Sequence, residues 1–527
     1  MKPRNRRAFL ADVGSGMLTA GVGASLFFDL GLTPVGAADD YKTSGKKTAG
    51  DKTPLNFGEM EPLVSLMQDT PPEKLLPMLV ARHRAGTDLK TLTAAGALAN
   101  ARTFGGEDYI GYHTFMALAP AYDMLREMPA ADAALPVLKV LYRNAARIQA
   151  HGGHKSEVLH AIESAESGGT LDAQSLRERV HARDRAGAER MMEAMVRDNP
   201  GEAYQHLQFT VQDEVNVHRI VLAWRAWAIL DLVGKEHAAA MLRQSVRFCV
   251  QTEQSIHERK HTACPVRAQL PKLFDQYKLA GRKIGTRTAD DKWLADFASV
   301  VYSGSPAAAA DAAAAALAEG FSADSIGEGL SLAANLLVLR DPGRDAKWSD
   351  AAKPAGSCHG DSPGVHASDA ANAWRNIVGV SNPRNAVAGL IVGAYHTAGQ
   401  SGRMHDESLP SAEHRGAVKG TDSAALLAEL DEAIRAKDQF RSVAVATRYG
   451  EADGKPRAIF DLLLKYATSE DGALHAEKYY RTVVEEFGRS RPAFRWRQVA
   501  ALARVTASEY GSTAPGYREA RELLAKA

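Results

Sequence analysis

The chain has 527 residues, of which 45% are hydrophobic and 24% charged, and its formal net charge is +1. This composition is ordinary for a soluble globular protein of two to three domains, and the balanced charge gives no reason to expect a nucleic-acid partner. Only three cysteines occur, so a disulfide framework is excluded. Neither a C-x-x-C-H haem attachment nor a C-x-x-C zinc ribbon is present.

Residues 1–38 have the pattern of a twin-arginine export signal. The arginines at 6 and 7 stand in a basic start, a weakly apolar glycine-rich stretch follows, and small residues occupy 36–38. A membrane anchor is the alternative, but the apolar run between Asp12 and Asp29 is too short and glycine-rich to span about 30 Å of hydrocarbon. We therefore predict export to the periplasm or cell envelope and no transmembrane span in the mature chain.

The remainder of the chain divides by composition into four segments. Residues 39–57 are polar and predict a flexible tether, 58–400 a main helical domain, 401–422 a linker and 423–527 a C-terminal helical region. Apolar residues recur at the helical period throughout, and strand alternation is hard to find. The sequence thus predicts an all-α fold, either a multi-helix bundle or an irregular helical array. The C-terminal region resembles one helical hairpin of a tetratricopeptide array, which would suit a protein partner.

Several individual elements follow from the same periodicity. Residues 202–233 predict one long amphipathic helix. Its apolar stripe contains Leu207, Val211, Val215, His218 and Leu222. Residues 305–318 predict an alanine-rich helix with Pro306 at its first position. Residues 341–365 and 399–422 predict loops.

Two histidine-rich stretches share a pattern in which a His-Gly pair precedes a predicted helix. They read AHGGHKSEVLHA at 150–161 and CHGDSPGVHASDA at 358–370. The partial positive charge at a helix start disfavours imidazolium, so a histidine there stays neutral near pH 7. Neutral imidazole is what a metal ligand or a general base requires. The predicted catalytic or metal-ligating residues are His154, His160, His359 and His366.

Three further histidines lie on apolar helical faces and are the second choice, as cofactor-binding residues. They are His113, His218 and His396. For each of the seven, the alternative is a histidine that caps a helix or donates a hydrogen bond within the core. The sequence names no cofactor, although a transition metal such as iron, copper or zinc would suit these side chains.

Two shorter motifs in the sequence are also typical of metal sites. Residues 257–261 match the zinc-protease motif H-E-x-x-H, but Arg259, Lys260 and Pro265 favour a solvated helix end. Glu-x-x-His, the di-iron carboxylate signature, occurs at 157–160 and 258–261. Glu107 and Glu214 would complete the di-iron set. Chance alone predicts about one such pair in a chain of this composition.

The segments 151–166 and 359–398 are similar to segments of the questin oxidase-like family. The resemblance rests on HGGHKSEVLHAIESAE and on HGDSPGVHASDAANAWRNIVGVSNPRNAVAGLIVGAYHTA. It implies an all-helical fold. It also implies a monooxygenase that opens an anthraquinone ring by Baeyer–Villiger-type oxygen insertion with a reduced nicotinamide nucleotide. The export signal is a departure from that pattern.

Together these observations predict an exported helical protein with a histidine-lined pocket. The pocket is expected between helices near 113, 154–160, 218 and 359–396. The predicted function is a metal- or cofactor-assisted oxidoreductase acting on a small aromatic molecule. The alternative is a non-catalytic scaffold of the cell envelope, whose histidines cap helices and whose C-terminal helices bind a protein.

Overall fold

A computed structural model describes residues 53–162, 170–401, 404 and 407–526. The predicted export signal and most of the predicted tether lie outside these residues. Within them, every regular element is a helix, and extended pairing is confined to three isolated bridges. The predicted all-α fold class is confirmed.

The helices are labelled α1 to α24 in chain order. Their bounds are α1 Glu61–Asp69, α2 Pro72–Arg84, α3 Leu89–Phe104, α4 Tyr109–Met124, α5 Leu135–His151, α6 Ala173–His181, α7 Arg185–Asp198, α8 Pro200–Val211, α9 Val217–Ala228, α10 Leu230–Val233, α11 Ala238–Glu258, α12 Val266–Gln276, α13 Asp291–Ser303, α14 Pro306–Ala318, α15 Ala323–Arg340, α16 Pro363–Gly379, α17 Pro383–Gly399, α18 Ala412–Gly416, α19 Ser423–Arg435, α20 Gln439–Glu451, α21 Pro456–Ser469, α22 His475–Arg489, α23 Pro492–Glu509 and α24 Tyr517–Ala525. Short 3-10 turns occupy Gly58–Met60, Ala130–Asp132, Gly153–Ser156, Lys235–His237, Ala346–Trp348 and Gly472–Leu474. Pro306 is the first residue of α14, as predicted.

The single long helix predicted over 202–233 is wrong, because the chain breaks between α8 and α9. The side chain of Asn216 accepts hydrogen bonds from the backbone N–H groups of His218 (2.9 Å) and Arg219 (3.3 Å). Asparagine is among the strongest helix N-caps, so it starts a new helix where the apolar stripe alone would continue the old one. The break places His218 in the first turn of α9.

Four of the helices pack in a closed circuit. Helix α4 packs against α9, α9 against α16, α16 against α22, and α22 back against α4. Helix α22 comes from the predicted C-terminal region, whereas the other three come from the predicted main domain. The two parts of the chain therefore meet in this circuit.

Apolar side chains form two main cores around the circuit. The larger draws chiefly on helices α1 to α17, and the smaller chiefly on α19 to α23. Among the described residues, none of the helices has both the length and the apolar character needed to cross a bilayer.

A buried ion pair fixes the start of α22 against α5. Lys139 Nζ lies 2.7 Å from Glu477 Oε1, and both side chains are fully buried. Lys139 also donates a hydrogen bond to the carbonyl of Ala467 (2.9 Å). A fully desolvated pair with this geometry ties the position of α22 to the remainder of the fold.

Candidate functional site

Four histidine side chains meet where the starts of the four circuit helices come together. We call them the histidine cluster, and its members are His113 on α4, His218 on α9, His366 on α16 and His475 on α22. Each imidazole has two neighbours in the cluster. In order around it, the centroid separations are 4.8, 5.6, 5.4 and 5.1 Å. All four residues are only 3–5% exposed.

Local capping explains why each histidine lies near a helix start. Asp108, Asn216 and Ser362 are N-caps whose side chains accept backbone N–H groups of α4, α9 and α16. Helix α22 instead begins at His475, after a turn in which Ala473 and Leu474 have positive φ. The first turns of the four helices thus point their partial positive charge toward the cluster, which disfavours imidazolium.

Burial keeps three of the four imidazoles neutral. It lowers the pKa of His113, His218 and His475 well below the ordinary value, and the nearby cation Lys478 lowers each further. For His218 the neighbouring His366 has a larger effect than Lys478. These three side chains are therefore neutral at pH 7, with one lone pair each.

The hydrogen bonds of two imidazoles decide where that lone pair lies. Nδ1 of His113 is 2.6 Å from the carbonyl oxygen of Tyr109, and Nδ1 of His475 is 3.1 Å from that of Ala473. A carbonyl only accepts, so each Nδ1 carries the proton and each Nε2 carries the lone pair. Nε2 of His475 lies 3.3 Å from Nε2 of His366.

The other Nε2 atoms are buried and unsatisfied. Nε2 of His113 and Nε2 of His218 have no hydrogen-bond partner among the described residues. Buried polar atoms normally have a partner. Other buried polar atoms of the described residues also lack one, and these two nitrogens differ in that their rings are neighbours in one cluster. As the side chains stand, no group of three described His, Cys, Asp or Glu residues has the arrangement that holds a metal ion.

Two tyrosines border the cluster. The ring of Tyr109 lies 4.4 Å from that of His113, and the ring of Tyr112 lies 5.3 Å from that of His218. Tyr112 is buried, whereas Tyr109 is 45% exposed. Tyr109 is therefore in contact both with the cluster and with solvent.

The loop between α15 and α16 closes over His475. The backbone N–H of Gly360 donates to Oε1 of Glu509 (2.8 Å), and a Cβ at Gly360 would overlap the His475 side chain. Only glycine allows this close approach. Burial raises the pKa of Glu509 to about 7. In the same loop, Asp361 accepts hydrogen bonds from two cationic side chains.

Three of the seven predicted site histidines belong to the cluster, namely His113, His218 and His366. His359 lies in the loop beside it, next to Gly360. Its Nε2 is buried without a partner among the described residues, and burial lowers its pKa to about 4. His396 is buried near the end of α17 and is not one of the four.

The structure places the other two predicted histidines elsewhere. His154 is bonded to Asp69 (2.6 Å) and Arg102 (3.2 Å), and His160 forms an isolated bridge with Pro54. The expected helix after His154 is also wrong, because the 3-10 turn ends at Ser156 and the chain continues without helix to residue 162. The pocket expected near 154–160 is therefore not part of the cluster.

His475 is the member that the sequence interpretation missed. It lies in HAEKYYRTVVEEFG, which we interpreted only as one helix of a hairpin. A signal was present, since His475-Ala476 opens a helix much as His366-Ala367 lies in the first turns of α16. The Nε2 contact between the two histidines spans 109 residues, a separation that local patterns do not reveal.

The two shorter metal motifs are not assembled in the described residues. Helix α11 ends at Glu258, and both His257 and His261 are exposed to solvent. Glu157 forms an ion pair with Arg102 (3.0 Å). The solvated helix end that the sequence favoured at 257–261 is what the structure contains.

Comparisons of the chain with models of protein families, with curated proteins and with solved structures gave no match. The chain is therefore assigned to no family, and its function has to be inferred from the geometry of the cluster.

Proposed function

We propose that the histidine cluster binds one transition-metal ion and that the protein is a metal-dependent oxidoreductase acting on a small molecule. The observation that carries the proposal is the closed arrangement of four buried imidazoles with adjacent centroids 4.8–5.6 Å apart. Imidazoles that share one metal at about 2.0–2.1 Å have centroids about 5 Å apart.

The nitrogen atoms of one pair support the same interpretation. Two ligands at tetrahedral angles on one zinc ion are separated by about 3.4 Å. The Nε2 atoms of His366 and His475 are 3.3 Å apart. As the side chains stand, this contact is a hydrogen bond in which Nε2–H of His366 donates to the lone pair of His475, so the proton of His366 must move to Nδ1 before the pair can serve as two ligands. The unsatisfied Nε2 atoms of His113 and His218 are the further donors.

The backbone partners of the cluster have the form expected around a metal. A ligating histidine usually donates its other ring N–H to a carbonyl or carboxylate, which fixes the tautomer and the orientation of the ring. His113 does so to Tyr109, and His475 does so to Ala473. The backbone thus presents Nε2 of both residues as lone-pair donors.

Two features of the cluster oppose metal binding. No three donors converge as the side chains stand, so loading requires side-chain rotation. The positive charge of Lys478 would repel a metal cation. Asp369 and Glu509 offset this repulsion, because both carboxyls interact electrostatically with Lys478. Neutral imidazoles suit zinc, copper, iron and nickel, and iron or copper would supply the electron transfer of an oxidoreductase.

The chain offers two further supports for the wider proposal. The aromatic faces of Tyr109 and Tyr112 beside the cluster are apolar surfaces against which a small aromatic molecule would pack. The twin-arginine pattern at 1–38 supports export to the periplasm or envelope, and passage in a folded state would allow a metal to be acquired beforehand.

The test is the metal content of the folded protein. We expect about one iron or copper ion per chain in the purified wild type, measured by plasma mass spectrometry, and less than a tenth of that in a His366→Asn/His475→Asn double variant. His113→Gln, which keeps a polar side chain, is a second variant for the case that the double variant does not fold. Circular dichroism verifies folding in each sample.

His396→Asn is the matched control, since His396 is equally buried but outside the cluster. It should keep the metal. Wild-type protein that stays metal-free after incubation with iron, copper and zinc salts would contradict the proposal and favour a non-catalytic scaffold. Bound zinc without iron or copper would retain the site but overturn the oxidoreductase assignment, because zinc has no redox chemistry.

A further inference from the structure

The interior of the helix circuit beyond the cluster is charged. Lys478 lies one helical turn after His475, Asp369 lies one turn after His366, and Arg225 lies in the last turn of α9. These three charged residues are only 3–5% exposed. Interiors between packed helices are usually apolar, so buried charges here need a local reason.

Neutral donors bind one oxygen of each of two carboxylates in this interior. Asp369 Oδ1 accepts a hydrogen bond from the Thr482 hydroxyl (2.8 Å). Glu485 Oε2 accepts hydrogen bonds from the side-chain amides of Asn372 (3.0 Å) and Asn376 (2.8 Å). These acceptors are thus engaged without a direct bond to the inner cations.

The two inner cations lack direct acceptors. Among the described residues, neither Lys478 nor Arg225 has a hydrogen bond or an ion pair within 4.0 Å, and Arg225 Nε is buried without a partner. Burial lowers the pKa of both, that of Lys478 to about 8. Nε of Arg225 is fully buried, and the other charged nitrogens of the two residues have no acceptor among the described residues, which favours an acceptor from outside the chain.

We propose that Lys478 and Arg225 bind the carboxylate of a small organic acid. A guanidinium matches a carboxylate through two parallel N–H donors, and an ammonium adds a compact charge. Asp369 lies on α16, which packs against both α9 and α22, and its carboxyl interacts electrostatically with each cation. That this acid is the substrate rests on the proposed function; its binding does not, because neither cation is a member of the cluster.

Solvent reaches the far end of this interior. There Arg481 Nε lies 3.4 Å from Asp123 Oδ2, and the two side chains are 27% and 34% exposed. Arg481 also pairs with Glu485 (2.9 Å). Direct ion pairs thus form at the solvent end, whereas the two cations nearer the cluster form none. We expect the ligand to bind beside these two cations.

Acetate and its neutral analogue acetamide test the proposal in the full chain. We expect isothermal titration calorimetry at constant ionic strength to show saturable binding of one acetate, at least tenfold tighter than acetamide. Lys478→Met and Arg225→Met should each weaken acetate at least tenfold. Lys465→Met is the matched control, because this lysine is 53% exposed, and it should leave binding unchanged.

Absence of saturable acetate binding to folded wild type would overturn the inference and assign bridging water to the two cations. Equal binding of acetamide, or binding that survives both inner substitutions, would also overturn it. The comparison of the two ligands in wild type holds even where a variant fails to fold. Metal content measured in the same samples separates this result from the proposed function, since acetate binding to metal-free protein sustains the inference alone.

Discussion

Lys139→Met is expected to lower the free energy of unfolding by about 3–5 kcal/mol, because it leaves Glu477 buried without its cation. Both side chains are fully buried and 2.7 Å apart. Glu477 is the third residue of α22, so we also expect the first turn of that helix, including His475, to lose order. Urea denaturation followed by circular dichroism measures the loss of stability.

The double variant Lys139→Met/Glu477→Met is the control. Replacing a buried pair by apolar residues of similar volume is often nearly neutral, so the double variant should recover most of the lost stability. A single variant within 1 kcal/mol of wild type would show that the pair does not fix α22. A double variant that is less stable than the single one would lead to the same conclusion.

The metal-free protein should lose stability as the pH falls below 6.5. The folded-state pKa values of His113, His218 and His475 lie well below this ordinary value. Above pH 6.5 both states are neutral at these positions. Below it the unfolded chain binds protons that the folded chain does not, so each histidine removes about 1.4 kcal/mol per pH unit until its folded pKa is reached.

Chemical denaturation at pH 7.5, 6.5 and 5.5 tests this dependence. Three histidines give up to about 4 kcal/mol between pH 6.5 and 5.5. His218→Gln should remove the contribution of one histidine, up to about 1.4 kcal/mol per pH unit. Substitution of the exposed His257 to Gln is the control and should leave the slope unchanged. Glu509, whose pKa burial raises to about 7, contributes stability as the pH falls over the same interval, so the difference between wild type and His218→Gln is the test. A slope that is unchanged in His218→Gln would contradict a neutral, buried imidazole at this position.

Local sequence signals were sufficient for the fold class but not for every helix boundary. The helical spacing of apolar residues and the proline at 306 predicted elements that the structure contains. The same spacing also ran through the break at Gln212–Asn216, because an apolar stripe continues on the core side of two successive helices as well as along one. At this position the capping side chain of Asn216 determines where the second helix begins.

The sequence predicted that the site consists of histidines, but only some of those histidines were predicted. The pattern favoured histidines near helix starts, and His366 is such a residue in the cluster. His154 also follows a His-Gly pair in the sequence. Its 3-10 turn does not continue into a helix, however, and its imidazole is hydrogen-bonded to Asp69. Which helix starts meet depends on the packing circuit, and that circuit joins segments hundreds of residues apart.

Anomalous diffraction from crystals of the metal-loaded protein, recorded at the absorption edge of the bound metal, locates the metal site. We expect one peak inside the histidine cluster, about 2.0–2.1 Å from at least three Nε2 atoms. A peak elsewhere, such as between His154 and Asp69, or loaded crystals with no peak among the four imidazoles, would contradict this expectation.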